Sequence, residues 1–292
     1  MTGIQGIRYS FSMKAFVLVF LLIKYFTVEA QVITRKYVEG NTLSYRISNT
    51  QEINAHSIFE YQGVATIEVK SNVEKWKWSE ISMNHNPFPL PPDYVQILSL
   101  DSSFSMEVPP ANMRIGPLLD TLNFYANAMI AFKQINLRMP GDKSFVSEEG
   151  KANSWTNRER NVLFGQDCLD FELELAELSV ESAIFIVNNI PPKKGCKVDF
   201  PLGWNWLEMN SDDQKNNFFQ VELQPNGKYQ ALAGVEVVKT VLHIDRQTGK
   251  INLATMENPV HAVMWECGLS GTNCNSGTPL NILRKTRLEA IK

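Results

Sequence analysis

Two Trp-x-Trp pairs are the most unusual groups in this sequence that could take part in ligand binding. Trp76 and Trp78 flank one lysine, and Trp204 and Trp206 flank one asparagine. Because side chains alternate between the two faces of an extended strand, each pair places two indole rings on one face. Indole rings stack on sugars or line apolar cavities. We therefore interpret the four tryptophans as candidate ligand-binding residues, and packing in the protein core is the alternative interpretation.

No established catalytic or metal-binding motif is present in the sequence. A Gly-rich phosphate loop, His-Glu-x-x-His and Gly-x-Ser-x-Gly are all absent. If residues 258–259 form a turn, His243 and His261 lie in different rows of the predicted sheet, about 10 Å apart, too far for one metal ion to bridge. We therefore assign no catalytic residue, no metal site and no cofactor. Enzymatic activity stays open at this point, and a protein that is not an enzyme is favoured.

Acidic side chains form one regular pattern, in which Asp170, Glu172 and Glu174 alternate with apolar residues. Carboxylates at this spacing share one strand face, where they could hold a calcium ion or act as a glycosidase pair about 5.5–7 Å apart. Apolar side chains occupy the intervening positions, which is typical of a half-buried strand. We interpret the three carboxylates as part of a solvated outer face.

The four cysteines predict two disulfides. Four cysteines allow three pairings, which spacing alone does not separate rigorously. Cys267 and Cys274 enclose a short Gly-rich loop, so we predict that they pair, which leaves Cys168 to pair with Cys196. A zinc site is the alternative, but no Cys-x-x-Cys pair and no close Cys/His spacing is present.

The N-terminal residues predict export. Residues 15–23 form an unbroken apolar run that follows Lys14 and precedes small or modest side chains ending at Ala30. The run is too short to span a bilayer, which needs about 20 apolar residues. It has the charge, length and cleavage pattern of a secretory signal peptide. We predict a signal peptide over residues 1–30, with Met13 as an alternative start, and a secreted or periplasmic mature chain without a transmembrane segment.

The composition is that of an ordinary globular protein. Hydrophobic residues make up 44% of the chain and charged residues 20%, which predicts a packed core. The 28 Lys and Arg residues against 31 Asp and Glu residues give a formal net charge of −3. Because no basic patch or run is present, the sequence predicts no nucleic-acid partner.

The pattern along residues 31–292 predicts a mainly β or α+β protein. Short apolar and β-branched runs separated by turn residues predict antiparallel strands in a half-barrel or sandwich-like arrangement. Residues 117–133 differ, because their apolar side chains recur at helical spacing after a first-turn proline. We expect the sheet to pack on this one long apolar helix. Two lobes, residues 31–140 and 141–292, are an alternative to a single domain.

At the level of architecture, a signal peptide followed by an antiparallel sheet and one apolar helix resembles bacterial envelope proteins in which a half-barrel wraps a helix, such as lipoprotein carriers. The resemblance rests on this pattern of elements and contributes no site residues. Together with the tryptophan pairs, it leads to the hypothesis of an exported, non-enzymatic protein that binds a lipid-like ligand, a glycan or an envelope protein. A secreted hydrolase acting on a glycan or ester, with a carboxylate pair and a tryptophan platform, is the alternative.

The disulfide pairing predicts the outcome of a thiol titration. Denatured, unreduced mature protein should contain no free thiol. Cys168→Ser should lower the free energy of unfolding by about 1 kcal/mol more than Cys274→Ser, because the loop of about 28 residues constrains the unfolded chain more than the loop of about eight. Peptide mapping that joins Cys168 to Cys267 would contradict the pairing.

Overall fold

The computed structural model describes residues 36, 38–100, 107, 116–133, 137, 139–146, 153–157, 162–191, 216–268 and 274–291. The predicted signal peptide, Cys196 and the tryptophan pair at 204 and 206 lie outside the described residues. Within them the protein is mainly β, and all fifteen strands join one antiparallel sheet. The prediction of a mainly β, antiparallel protein is therefore confirmed.

The elements are numbered along the chain. One helix, α1, spans Gly116–Lys133. The strands are β1 (Thr42–Ile53), β2 (His56–Lys70), β3 (Val73–Met83), β4 (Asn86–Pro87), β5 (Val95–Ser99), β6 (Lys143–Val146), β7 (Asn153–Asn157), β8 (Val162–Asp167), β9 (Asp170–Leu178), β10 (Ser182–Ile190), β11 (Phe218–Leu223), β12 (Tyr229–Glu236), β13 (Val238–Asp245), β14 (Ile251–Cys267) and β15 (Thr278–Ala290).

The 17-residue strand β14 organises the sheet. On one side its neighbours are β15, β1, β2, β3 and β4 in turn. On the other side the sheet divides into two branches. The C-terminal half of β14 pairs with β12, which leads to β11, β8 and β7, whereas the N-terminal half pairs with β13, which leads to β10, β9 and β6. Strands from both predicted lobes are thus hydrogen-bonded in one sheet, and the division into lobes stays a prediction.

The predicted turn at residues 258–259 is wrong, because β14 continues through both of them. Pro259 has no amide to donate, so a proline inside a strand is tolerated only where a ladder hydrogen bond is missing. Opposite it, the partner strand is interrupted between β12 and β13 at Val237, whose amide donates to the Pro259 carbonyl at 3.2 Å. His243 consequently faces Leu253 and His261 faces Asn281.

Polar side chains form a hydrogen-bonded group at the point where the sheet divides into two branches. Asn217, which is 1% exposed, donates from Nδ2 to the Glu236 carbonyl at 2.8 Å and accepts from the Glu236 amide at 2.7 Å. Asn258 donates to the Glu236 carboxylate at 3.0 Å and accepts from Arg284 at 2.9 Å. The Asn217 side chain thus takes the place of the strand neighbour that the backbone of Glu236 lacks at the division, and Asn258 and Arg284 hold the Glu236 carboxylate.

Three hairpin turns have left-handed residues and no glycine. Both central residues have positive φ in the pairs Asn54–Ala55, Ser71–Asn72 and Asn84–His85. This is the geometry of the type I′ turn, whose twist matches that of the flanking strands. The turns join β1 to β2, β2 to β3 and β3 to β4, so a continuous meander forms this side of the sheet.

The face of the sheet that carries the largest core cluster is called the inner face. One of its rows crosses six neighbouring strands and is buried throughout. Its members are Ile47, Leu288, Ala254, Leu242, Phe185 and Leu175. The opposite, outer face carries polar side chains at the intervening positions of β1, β15 and β14. The centre of the sheet therefore has an apolar, buried inner face and a polar, solvent-exposed outer face.

The helix α1 contributes to only one of the three core clusters. Leu118, Leu122 and Tyr125 are buried and belong to the cluster of the inner face. The two clusters around Phe219 and Phe218 contain no residue of α1. The expectation that the sheet packs on one long apolar helix is therefore not borne out. An 18-residue helix is about 27 Å long, whereas ten strands side by side span about 43 Å, so one helix cannot cover the sheet.

Asn217→Ala should lower the free energy of unfolding by about 1–3 kcal/mol, because it leaves the buried amide and carbonyl of Glu236 without partners. Asn252→Ala, at an exposed position of β14, serves as the control and should change stability by less than about 0.5 kcal/mol. Urea unfolding followed by circular dichroism measures both. Equal losses in the two variants would contradict this role of Asn217.

Candidate functional site

An aromatic cluster occupies the inner face where β1, β3 and α1 meet. The Trp76 ring lies 4.7 Å from the Tyr125 ring of the helix and 5.9 Å from the Trp78 ring, measured between centroids. Tyr45 stacks on Trp76 at 6.5 Å. Trp76 is fully buried and Trp78 is 9% exposed. Edge-to-face contacts of this kind add to the stabilisation from burial alone.

A carboxylate lies within this apolar cluster. Glu74 is fully buried and accepts hydrogen bonds from the Trp76 indole at 3.2 Å and from the Tyr125 hydroxyl at 3.0 Å. Burying a carboxyl group costs free energy unless hydrogen bonds replace its water. The strand periodicity contains a signal for this placement, because Glu74, Trp76 and Trp78 are two residues apart and so share one face.

Two buried donor atoms in the same region have no hydrogen-bond partner among the described residues. Gln96 is 1% exposed and accepts from the Trp78 indole at 2.7 Å, but its Nε2 has no acceptor there. The Tyr61 hydroxyl is also unpartnered, and the Tyr61 ring contacts Trp78. Burial, followed by the nearby Tyr94, raises the pKa of Tyr61, so its hydroxyl stays a neutral donor. Two donors that lack acceptors therefore flank one indole.

The structure describes two of the four tryptophans in the predicted ligand-binding site. Trp76 and Trp78 lie together on the inner face, as the strand alternation predicts. Both are covered by protein groups and their indole nitrogens are bonded to Glu74 and Gln96, so they form no exposed platform. A role for them in ligand binding stays a prediction, and Trp204 and Trp206 lie outside the described residues.

The outer face carries a half-open concavity of about 510 Å³ that spans β1, β15, β14 and β13. Two neighbouring rows of side chains form it. The first row is Thr50, Lys285, Glu257 and Lys239. The second row is Ser48, Arg287, Thr255 and Val241. The lining contains three cationic side chains and one carboxylate, together with the apolar side chains of Val241 and Met256.

The three carboxylates on β9 differ in burial and in their partners. Glu172 and Glu174 lie on the outer face and form ion pairs with Lys143 at 3.3 and 3.0 Å. The hydrogen bonds that Lys143 donates to Glu174 and Glu172 raise its pKa. Asp170 instead is 3% exposed, and its Oδ1 has no partner among the described residues. The expectation of a shared solvated face therefore holds for two of the three carboxylates.

The histidines in the described part of the chain are separated from one another. His261 Nδ1 lies 2.7 Å from the Asn281 side chain, and His85 lies 3.3 Å from Glu60 at an exposed turn. Within the described residues no three His, Cys, Asp or Glu side chains are close enough together to hold a metal ion.

One predicted disulfide is present. Cys267 at the end of β14 is bonded to Cys274, as the short loop between them predicts. Cys168 is also disulfide-bonded. Its predicted partner, Cys196, lies outside the described residues, so the pairing of Cys168 with Cys196 stays a prediction.

Comparisons with known proteins give no family. No protein-family model and no curated protein matches the chain. Among solved structures, the chain is similar at 8% identity to OmpT, an in-vitro folded outer membrane protein of Vibrio cholerae, over 88% of this chain and 99% of that one. The TM-score is 0.16, which supports no shared fold. No helix in the described ranges is long and apolar enough to cross a membrane.

Replacing two buried tyrosines should separate a satisfied hydroxyl from an unsatisfied one. Tyr125→Phe should lower the free energy of unfolding by about 1–3 kcal/mol, because Glu74 loses a hydrogen-bond donor in a buried site. Tyr61→Phe should be neutral or stabilising, because it removes a buried hydroxyl that has no described partner. Urea unfolding followed by tryptophan fluorescence measures both, and a cost at Tyr61 equal to that at Tyr125 would contradict the assignment.

Proposed function

We propose that this is an exported, non-enzymatic protein that binds a lipid-like amphiphile on the inner face of its sheet, at β2, β3 and β5. The observation that carries the proposal is the pair of buried donors, Gln96 Nε2 and Tyr61 Oη, beside Trp78. Buried polar atoms without partners are rare in native proteins, so each one calls for a physical explanation. A ligand that supplies hydrogen-bond acceptors to both donors is such an explanation.

The surroundings of the two donors are apolar and so match the apolar tail of an amphiphile. Apolar and aromatic side chains from the sheet and the helix surround them in one continuous core cluster. An apolar chain bound beside this cluster would be kept out of water, which is the main driving force for burying such a chain. The acceptor head group, a carboxylate or carbonyl, would take hydrogen bonds from Gln96 and Tyr61.

The proposed location is the periplasm or the extracellular space. Disulfides form and persist in oxidising compartments and are rare in the cytoplasm. The Cys267–Cys274 bond therefore supports an exported protein, in agreement with the signal peptide predicted for residues 1–30. A glycan or an envelope protein as the partner is the alternative outcome of the experiment below.

Ligand binding is tested on the mature chain exported to the periplasm of an expression host. Native mass spectrometry should detect a bound amphiphile, and palmitic acid should quench tryptophan fluorescence in a saturable way after delipidation. Gln96→Met removes the buried donor while keeping the side-chain volume, and it should weaken palmitate binding by about tenfold or more, the factor expected for one buried hydrogen bond to a carboxylate. Because it also removes the acceptor of the Trp78 indole, binding is compared only at temperatures where circular dichroism shows the variant to be folded.

Gln62→Met is the matched control, because Gln62 is exposed on the outer face and should leave binding unchanged. A mature protein that is free of ligand and shows no saturable response to palmitate would overturn the proposal. Saturable binding that is equal in the Gln96 and Gln62 variants would contradict the assigned site.

A further inference from the structure

The outer-face concavity combines cationic side chains from neighbouring strands. Lys285 on β15 and Lys239 on β13 stand on either side of Glu257 in one row, so their Cα atoms are about 10 Å apart. Arg287 follows Lys285 two residues along β15, about 7 Å away. A ligand of monosaccharide size can therefore contact all three cations at once.

Two of these cations have no counterion. Among the described residues, neither Lys239 nor Lys285 lies within ion-pairing distance of a carboxylate, and both are exposed. Arg287 is paired with Glu289 at 2.9 Å, and both side chains are about half exposed. The concavity thus carries an excess of positive charge, although the whole chain has a formal charge of −3.

We infer that the concavity on the outer face binds an oxyanion, a phosphate or sulfate group carried by a small ligand. Lys239 and Lys285 supply the charge, and the hydroxyls of Thr50 and Thr255 in the same two rows can donate to the anion oxygens. The volume of about 510 Å³ is within the range of small-ligand sites. This site is on the opposite face from the proposed amphiphile site and does not depend on it.

Glu257 allows a test in which one variant changes the binding affinity in the direction opposite to the lysine variants. Its carboxylate stands between the two lysines and repels an anion, so its removal acts in the opposite direction from removal of a lysine. A stability defect would not produce opposite changes at neighbouring positions of one row. A non-specific effect of net charge would, and it would also weaken binding in a lysine variant outside the concavity, which the Lys77 control below tests.

The experiment is calorimetric titration of the mature protein with glucose 1-phosphate at low ionic strength, with glucose as the uncharged control. Lys239→Gln and Lys285→Gln should each weaken binding about threefold to tenfold, and Glu257→Gln should strengthen it by a similar factor. Lys77→Gln, an exposed lysine on the outer face of β3, should leave binding unchanged. Added salt should weaken binding, since the contacts are exposed to solvent.

Vesicles of phosphatidylcholine with phosphatidic acid distinguish the source of the phosphate group. Vesicle binding that requires Lys239 and Lys285, without binding of glucose 1-phosphate, supports the same oxyanion site with a lipid head group as the ligand. Absence of saturable binding to both probes would overturn the inference. Binding that is equal in the Lys239, Lys285 and Lys77 variants would overturn it as well.

Discussion

The hydrogen-bonding requirement of the long strand β14 determines the arrangement of the whole sheet. Both edges of a central strand carry amides and carbonyls that need partners along its full length. On one edge β15 provides these partners. On the other edge β12 pairs with one half of β14 and β13 with the other half, and the boundary between them is opposite Pro259. Because proline lacks an amide, the interruption falls where one hydrogen bond is already missing. The division into two branches is therefore compatible with a nearly complete ladder.

The two faces of the sheet use polar side chains in opposite ways. On the inner face the polar groups are few and buried, and each one has a large effect on stability, as for Glu74 within the aromatic cluster. On the outer face charged side chains are many and solvated, so each contributes little to folding. Charged side chains on that face can therefore contact a ligand without a large effect on stability. Polar groups on the inner face instead need hydrogen-bond partners from the protein or from a ligand.

Periodicity in the sequence predicts the strands and several of their faces. The alternation around Leu173 predicts β9 and its pairing with β10, and the short loop after Cys267 predicts a disulfide. The branch point could not be predicted, because Pro259 is a turn signal locally and only the distant break at Val237 permits a strand there. The buried donors of Gln96 and Tyr61 depend on cross-strand contacts, which no local pattern contains. The rows of the outer concavity depend on the register of four strands, and β1 is far in sequence from the other three.

The pairing of β1 with β15 has a consequence for how the chain reaches its native state. Asn49 and Thr286 are hydrogen-bonded across a sequence separation of 237 residues. Contacts this distant raise the contact order and slow folding, since a long loop must close before the strands can pair. The sheet cannot be completed until β15 has been synthesised, and until then the edges of β1 and β14 lack a neighbour. An incomplete chain therefore exposes unpaired strand edges, and such edges are sites of edge-to-edge aggregation until β15 pairs with them.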